Sequence, residues 1–204
     1  MLGRTDNPGR EEMIKALATE LKSRDGVTVL GPLGFENAYA LAMKRDAAQR
    51  LGIKSMIDLT LVAPSLRFGS DLEFTSRPEW ASLQQAYGLN FGEMKQYQPT
   101  FMYRALESGD VDVITAFSSD GRIAADNLMV LADPRAALPP YDAVILISPQ
   151  RAGDTRLISA LRPLLGKIDA DAMRRANYAV DRDGDKQSPA QAAQALDGAI
   201  GMRK

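Results

Sequence analysis

An α/β architecture is what this sequence predicts, and three observations carry it. Short apolar or β-branched runs alternate with segments of helical periodicity, the pattern of a mostly parallel sheet flanked by helices on both faces. Glycines stand just past several helical stretches, at Gly52, Gly88 and Gly109, where a helix commonly ends. Neither an internal repeat nor a low-complexity segment interrupts the alternation.

Each element has a local reason. Glu11 to Lys22 reads as a helix, because Met13, Ile14, Leu17 and Leu21 recur at helical spacing after the Asn7-Pro8-Gly9 start signal. Val27 to Leu30 is a short strand running into Gly31-Pro32, a turn or crossing point. Tyr39 to Met43 is a strand, and Lys44 to Leu51 a charged, Ala-rich helix. A helix starts at Ser55-Met56-Ile57-Asp58-Leu59, and a strand covers Leu66 to Gly69. Trp80 to Tyr87 and Pro99 to Ser108 are helices ended by glycine. Val111 to Phe117 is a buried strand, with few charges in a β-branched run. Leu128 to Leu131 and Ala143 to Ile147 are further strands, separated by a composition break around Ala136-Ala137-Leu138-Pro139-Pro140. The tail holds three helices, Thr155 to Leu165, Asp169 to Val180 and Pro189 to Ile200.

Composition narrows the chemistry. At 204 residues the chain can bury one good core or two small ones. A net charge of −1 offers no electrostatic case for nucleic acid or an anionic membrane. With no cysteine and no histidine, disulfides, thiolate nucleophiles, imidazole bases and the usual zinc ligand sets are excluded. No metal or other cofactor is expected. Asp181-Arg182-Asp183-Gly184-Asp185 looks like part of a calcium loop but lacks the terminal bidentate Glu, so it reads as a solvated connector. The pair Arg174-Arg175 reads as a solvated helix face. No apolar run approaches a membrane span, and Met1-Leu2-Gly3-Arg4 does not begin a secretory signal. Work outside the cytoplasm would require an export segment absent from this sequence.

Four residues suggest a binding chemistry: Tyr39, Arg77, Phe117 and Tyr141. A guanidinium offers a planar fork of donors that matches a carboxylate. Aromatic faces attract a quaternary ammonium that has no N–H to donate. A betaine carries both groups and needs both partners. Each residue also has a plainer reading. Tyr39 and Phe117 lie in apolar strands and fit a core; Arg77 can pair with Glu73 or Glu79; Tyr141 follows two prolines at a forced extended segment. Ser118 and Ser119, after the end of a strand, could assist a carboxylate or belong to an Asp-Gly turn and helix cap. Trp80, Tyr87, Tyr97 and Tyr103 are assigned to packing or surface.

The segments holding these residues resemble a known family. Gly31-Pro32-Leu33-Gly34-Phe35-Glu36-Asn37-Ala38-Tyr39-Ala40-Leu41-Ala42-Met43 is similar to the GFxNTYALA signature of substrate-binding proteins of osmoprotectant (glycine betaine, carnitine, choline) ABC transporters. Arg67-Phe68-Gly69…Glu73-Phe74…Arg77-Pro78, Gly109-Asp110-Val111-Asp112-Val113, Ser118-Ser119-Asp120-Gly121-Arg122-Ile123 and Leu138-Pro139-Pro140-Tyr141 follow in the family's order. A looser likeness runs on through Met173-Arg174-Arg175-Ala176-Asn177-Tyr178. The resemblance implies that Tyr39, Phe117 and Tyr141 are binding aromatics, that Arg77 takes the carboxylate, and that Ser118 and Ser119 assist. Phe117 keeps the ring of a usual Tyr without its hydroxyl, Ser119 replaces a Thr, and Ala38 departs from the Thr before the signature tyrosine.

The same resemblance implies a type II periplasmic-binding-protein-like fold with its second lobe complete and its first partial. Residues 1–30 would be a remnant of the first lobe and a crossing segment, 31–138 the second lobe, and 139–204 the hinge and returning helical part of the first. The chain would then be N-terminally truncated or a split gene product. An extracytoplasmic receptor of an importer is the implied role, with an ABC permease subunit as partner and no chemistry done on the ligand. Its tail carries apolar residues (Leu157, Ile158, Leu161, Leu164, Leu165) expected to exchange with a neighbour in a swapped homodimer. The alternatives are a cytoplasmic effector-binding domain of a regulator on the same scaffold, for which no basic recognition helix is visible, and an enzyme, for which no paired-carboxylate motif stands out.

Overall fold

The protein's computed structural model describes residues 9–201, so the Asn7-Pro8 part of the start signal lies outside the described residues. Helix α1 (Arg10–Asp25) ends where Gly26 turns left-handed and donates its N–H to Lys22 O. Strand β1 (Thr28–Glu36) then runs on through Gly31-Pro32 instead of turning there. It pairs antiparallel with β7 (Asp142–Ile147), from Thr28 opposite Ile147 to Glu36 opposite Asp142, with irregularities after Val29 and after Pro32. Bulges are where a ladder tolerates proline. Gly34, at φ +116, is the second device: a Cβ there would meet Ile168 O at 2.8 Å. Its absence lets Pro32 O and Leu33 O accept the Gly166 and Ile168 N–H groups, at 3.0 and 3.1 Å. Arg10 ties α1 to both strands through Glu36 (3.0 Å) and Asp142 (3.1 Å).

The main sheet has five strands in the order β4 (Glu93–Tyr97), β3 (Arg67–Asp71), β5 (Val113–Phe117), β2 (Tyr39–Lys44), β6 (Leu128–Val130). β3 is parallel to β4 and β5, whereas β2 is antiparallel to both β5 and β6. The sheet is therefore mixed: β4, β3, β5 and β6 run one way and β2 alone runs against them. Only Asn37-Ala38 separates β1 from β2, and without a crossover β2 enters at the end where β3 and β5 finish. β4 was not expected from the sequence. Its Glu93, Lys95 and Gln96 give no apolar run because it is an edge strand with most positions exposed.

Helices cover both faces. On one, α2 (Arg45–Leu51), α3 (Met56–Val62) and α4 (Pro78–Tyr87) enclose Leu41, Met43, Phe68, Phe74, Leu83 and Val113. Trp80 is buried there, stacked on Phe68 with centroids 5.6 Å apart. On the other, α5 (Pro99–Ser108) and α6 (Arg122–Ala125) bury Ala42, Met102, Leu106, Ile114 and Ile123. The alternation within β2, Leu41 and Met43 to one face and Ala42 to the other, is the period-2 rule of a strand.

In the tail, α7 (Thr155–Leu161) stops early because Pro163 turns Arg162–Leu164 into a tighter helical turn. α8 (Ala170–Asp181) and α9 (Pro189–Ala199) follow. Asp169 and Ser188 cap them by accepting the N–H groups of Ala172 and Gln191. No helix among the described residues is long and apolar enough to cross a membrane.

Candidate functional site

The antiparallel register of β2 and β5 sets Tyr39 directly opposite Phe117. Their rings lie 4.7 Å apart, tilted by 35°. Beneath Tyr39, at 5.0 Å, is the buried ring of Phe74, which holds the tyrosine at a fixed height. The pair stands where β3 and β5 end, and β2, running the other way, contributes its first residue.

Arg77 arrives from the loop between β3 and α4. Asp71 begins that loop by accepting the Glu73 and Phe74 N–H groups, both at 2.9 Å, an arrangement that folds Phe74–Ser76 into a single helical turn. Pro78 at the first turn of α4 forces Arg77 to extended backbone (φ −86, ψ 155). The guanidinium carbon then sits 5.4 Å from the centre of the Tyr39 ring. Both plain pairings expected for Arg77 are also present: Nη1 to Glu73 at 3.5 Å and Nε to Glu79 at 3.4 Å. Both are longer than an ordinary N–H···O hydrogen bond.

Glu79 was expected from the sequence only as a pairing partner of Arg77, and the structure gives it a larger place. It is only 3% exposed, and the Tyr141 hydroxyl donates to its Oε1 at 2.6 Å. Tyr141, Glu79, Arg77 and Tyr39 therefore form one continuous chain of contacts. Burial alone would raise the Glu79 pKa, but the Tyr141 hydroxyl, its own backbone N–H and Arg77 together hold it below the ordinary value. Hydrogen bonding to Glu79, and its charge, raise the Arg77 pKa further. The hydrogen bond that Tyr141 donates to Glu79, followed by burial, raises the pKa of Tyr141. Burial and then the nearby Asp71 push Tyr39 up to about 12. At neutral pH the Arg77 cation faces the Glu79 carboxylate and two neutral phenols, Tyr39 and Tyr141.

Phe117 is 38% exposed and Tyr141 41%, so this end of the sheet presents aromatic surface to solvent. Two hollows flank the ring pair. One of about 500 Å³ lies beside Phe117 and Ser119, lined also by Asn37, Asn177 and Lys186. The other, about 450 Å³, runs from Tyr39 past Asp133 and Leu138 to Pro140. Both fall in the size range of small-molecule sites. Exposed rings beside a guanidinium can hold a cation and an anion of one small ligand side by side.

Ser118 and Ser119 stand at the edge of this arrangement with their hydroxyls engaged by the chain itself. Ser118 Oγ accepts from Ala38 N (3.0 Å) and donates to Glu36 O (2.9 Å), and Ser119 Oγ donates to Asn37 Oδ1 (2.6 Å). They join the loop after β5 to the end of β1. From the other side α8 grips the same loop: Arg174 Nε donates to Ser118 O at 2.7 Å, and Asn177 Nδ2 to Ser119 O at 2.9 Å. The solvated reading of Arg174 is thus corrected, since its guanidinium is spent on a backbone carbonyl and on Asp171 (2.8 Å). The sequence signal lay in the Arg174-Arg175-Ala176-Asn177 spacing, which puts Arg174 and Asn177 on one helix face. Tyr87 and Tyr103 are buried and hydrogen-bonded to Asp133 and Asp120, in keeping with a packing role.

Comparison with known proteins places this geometry in context. Residues 11–196 match the OpuAC family, described as the substrate binding domain of ABC-type glycine betaine transport systems. The carnitine transport binding protein OpuCC of Listeria monocytogenes is 28% identical over 187 residues, covering 90% of this chain and 60% of that protein. The ergothioneine transport permease/ergothioneine binding protein EgtU of Helicobacter pylori is 29% identical over 154 residues, covering 74% of this chain and 28% of that protein. A crystal structure of a glycine betaine/carnitine/choline ABC transporter superposes with a TM-score of 0.86 at 28% identity, over 95% of this chain and 71% of that one. The chain thus spans about 60% of the length of the carnitine-binding relative it matches.

Proposed function

The chain belongs to the OpuAC family of substrate-binding domains of ABC-type glycine betaine transport systems, and from that membership we propose that it is the solute receptor, or part of it, of an importer for quaternary-ammonium osmoprotectants. Tyr39, Phe117 and Tyr141 contact the trimethylammonium head, and Arg77 grips the carboxylate by exchanging its long contact to the exposed Glu73 for the ligand. Ser118 and Ser119 contribute by fixing the loop that carries Phe117. The receptor works outside the cytoplasm, delivers its ligand unchanged to an ABC permease subunit, and does no chemistry on it.

The observation that carries this reading is the convergence of Arg77 on the Tyr39 ring, 5.4 Å away, beside the Tyr39–Phe117 pair at 4.7 Å. A cation–π contact contributes about 2 kcal/mol when desolvated, and a bidentate guanidinium supplies the complementary charge. The proposed division is 1–30 as a remnant of the first lobe and crossing segment, 31–138 as the second lobe, and 139–204 as hinge and returning part. Lobe closure would bend the β1–β7 ribbon. In an exchanged dimer, α8 would take the same seat on a neighbour's loop, so light scattering reading one or two chain masses separates the two arrangements. Calorimetry tests the carboxylate arm. Arg77→Ala weakens glycine betaine binding at least tenfold more than choline binding; equal losses for both ligands would show that Arg77 does not read the carboxylate.

A further inference from the structure

Helix α4 is tied at both ends to one stretch of chain, residues 133–141. At its start, Glu79 accepts from Tyr141 at 2.6 Å. At its end, the Tyr87 hydroxyl donates to Asp133 Oδ1 and accepts from Arg135 N at 2.8 Å. The other Asp133 oxygen accepts from Leu138 N at 2.8 Å. Arg135 lies over the Tyr87 ring at 5.2 Å and donates to Ala86 O. Between the anchors, Ala137 and Leu138 pack on the core face.

The segment between the anchors is stiff. Pro139 and Pro140 have fixed φ, and each restricts the residue before it to extended backbone. α4 has ten residues, a rise of roughly 15 Å. The strap runs the length of the helix from its last turn to its first. A strap so restricted next to Tyr141 would pass a displacement at Asp133 on to it. Tyr87 is only 5% exposed, and its hydroxyl serves the strap as both donor and acceptor.

We propose that Tyr87 and Asp133 are positioning residues for the ligand site, setting the place of Tyr141 through the strap of residues 133–141. Neither touches the ligand. The affinity part of this inference rests on the proposed function; the mechanical part does not.

Two measurements on the whole chain test it. In hydrogen exchange without ligand, Tyr87→Phe should accelerate the Arg135 and Leu138 amides and, at the far end, the Asn37 amide, which donates to Tyr141 O at 3.0 Å. Faster exchange at Arg135 and Leu138 with Asn37 unchanged would overturn the proposal, because the strap would then not transmit. In calorimetry with glycine betaine, Tyr87→Phe and Asp133→Asn should each weaken binding about tenfold, the effect of roughly 1.4 kcal/mol. Adding Tyr87→Phe to Tyr141→Ala should cost less than a further twofold, since the path already ends there. Wild-type affinity in both single variants, or additive losses in the double variant, would mark Tyr87 as structural only. A wild-type chain that binds no glycine betaine would count against the proposed function, while the exchange result would still decide the strap.

Discussion

Replacing Gly121 by Ala puts the seat of α8 to a direct test. A Cβ built at Gly121 lies 2.4 Å from Tyr178 N and 2.5 Å from both Tyr178 Cα and Cβ. Two of those atoms are helix backbone, so no rotamer change relieves the clash and α8 must move away. Gly121 has φ −63, an ordinary value for any residue, so the substitution adds no backbone strain of its own. The displacement removes the Arg174–Ser118 and Asn177–Ser119 hydrogen bonds. A bond from a charged donor contributes about 1.5–3 kcal/mol and a neutral one about 1, giving a loss of roughly 3 kcal/mol. At about 2–4 °C per kcal/mol for a chain of this size, thermal unfolding should fall by about 6–12 °C. Gly184→Ala, in the loop after α8 with nothing within 4 Å of its Cβ position, serves as the control and should stay within about 0.5 kcal/mol of wild type. Circular dichroism on heating reads both. A Gly121→Ala protein as stable as the control would refute the seat.

Two further outcomes follow from the core and the charge network. Glu79 has a folded pKa below its ordinary 4.5, so its ionised form stabilises the fold above that pH, and the contribution is lost as pH falls through the folded value. Stability curves of wild type and Glu79→Gln measured by denaturant should therefore converge as pH falls from neutral to below 4.5; parallel curves would show that the charge contributes nothing. Phe68, fully buried and stacked on Phe91 at 4.5 Å as well as on Trp80, should cost about 3–5 kcal/mol when cut to alanine, and a loss under 1 kcal/mol in urea titration would contradict the packing described.

What the sequence made legible was governed by local rules. α5 was expected at Pro99 to Ser108 and is found there, because proline at the first turn and glycine past the last fix both ends. The convergence of Tyr39, Arg77 and Phe117 followed from ordered motifs, and the one-to-one register of β2 with β5 supplies the geometry. Strand direction was not legible: nothing in Tyr39-Ala40-Leu41-Ala42-Met43 says which way it runs, and β2 is antiparallel because no crossover precedes it. β4 escaped because an exposed edge needs no apolar alternation. The link from Glu79 to Tyr141, beyond the expected pairing with Arg77, escaped for another reason. A glutamate in the first turn of a helix is ordinary, and only its burial against Tyr141, distant in sequence, reveals its place in the network. Arg174 looked solvated for the same reason, since its partner is a backbone carbonyl that no pattern announces.

The central claim is that the aromatic end of the sheet holds a quaternary ammonium, and titrating glycine betaine into wild type, Tyr39→Ala and Phe117→Ala by calorimetry tests it most directly. Each ring contributes about 2 kcal/mol at a desolvated cation, which at 1.4 kcal/mol per factor of ten is roughly a 30-fold weakening in each variant, with glycine itself, which lacks the methyl groups, bound far more weakly by all three. Glycine betaine affinity unchanged by both substitutions, or glycine bound as well as glycine betaine by the wild type, would contradict the account.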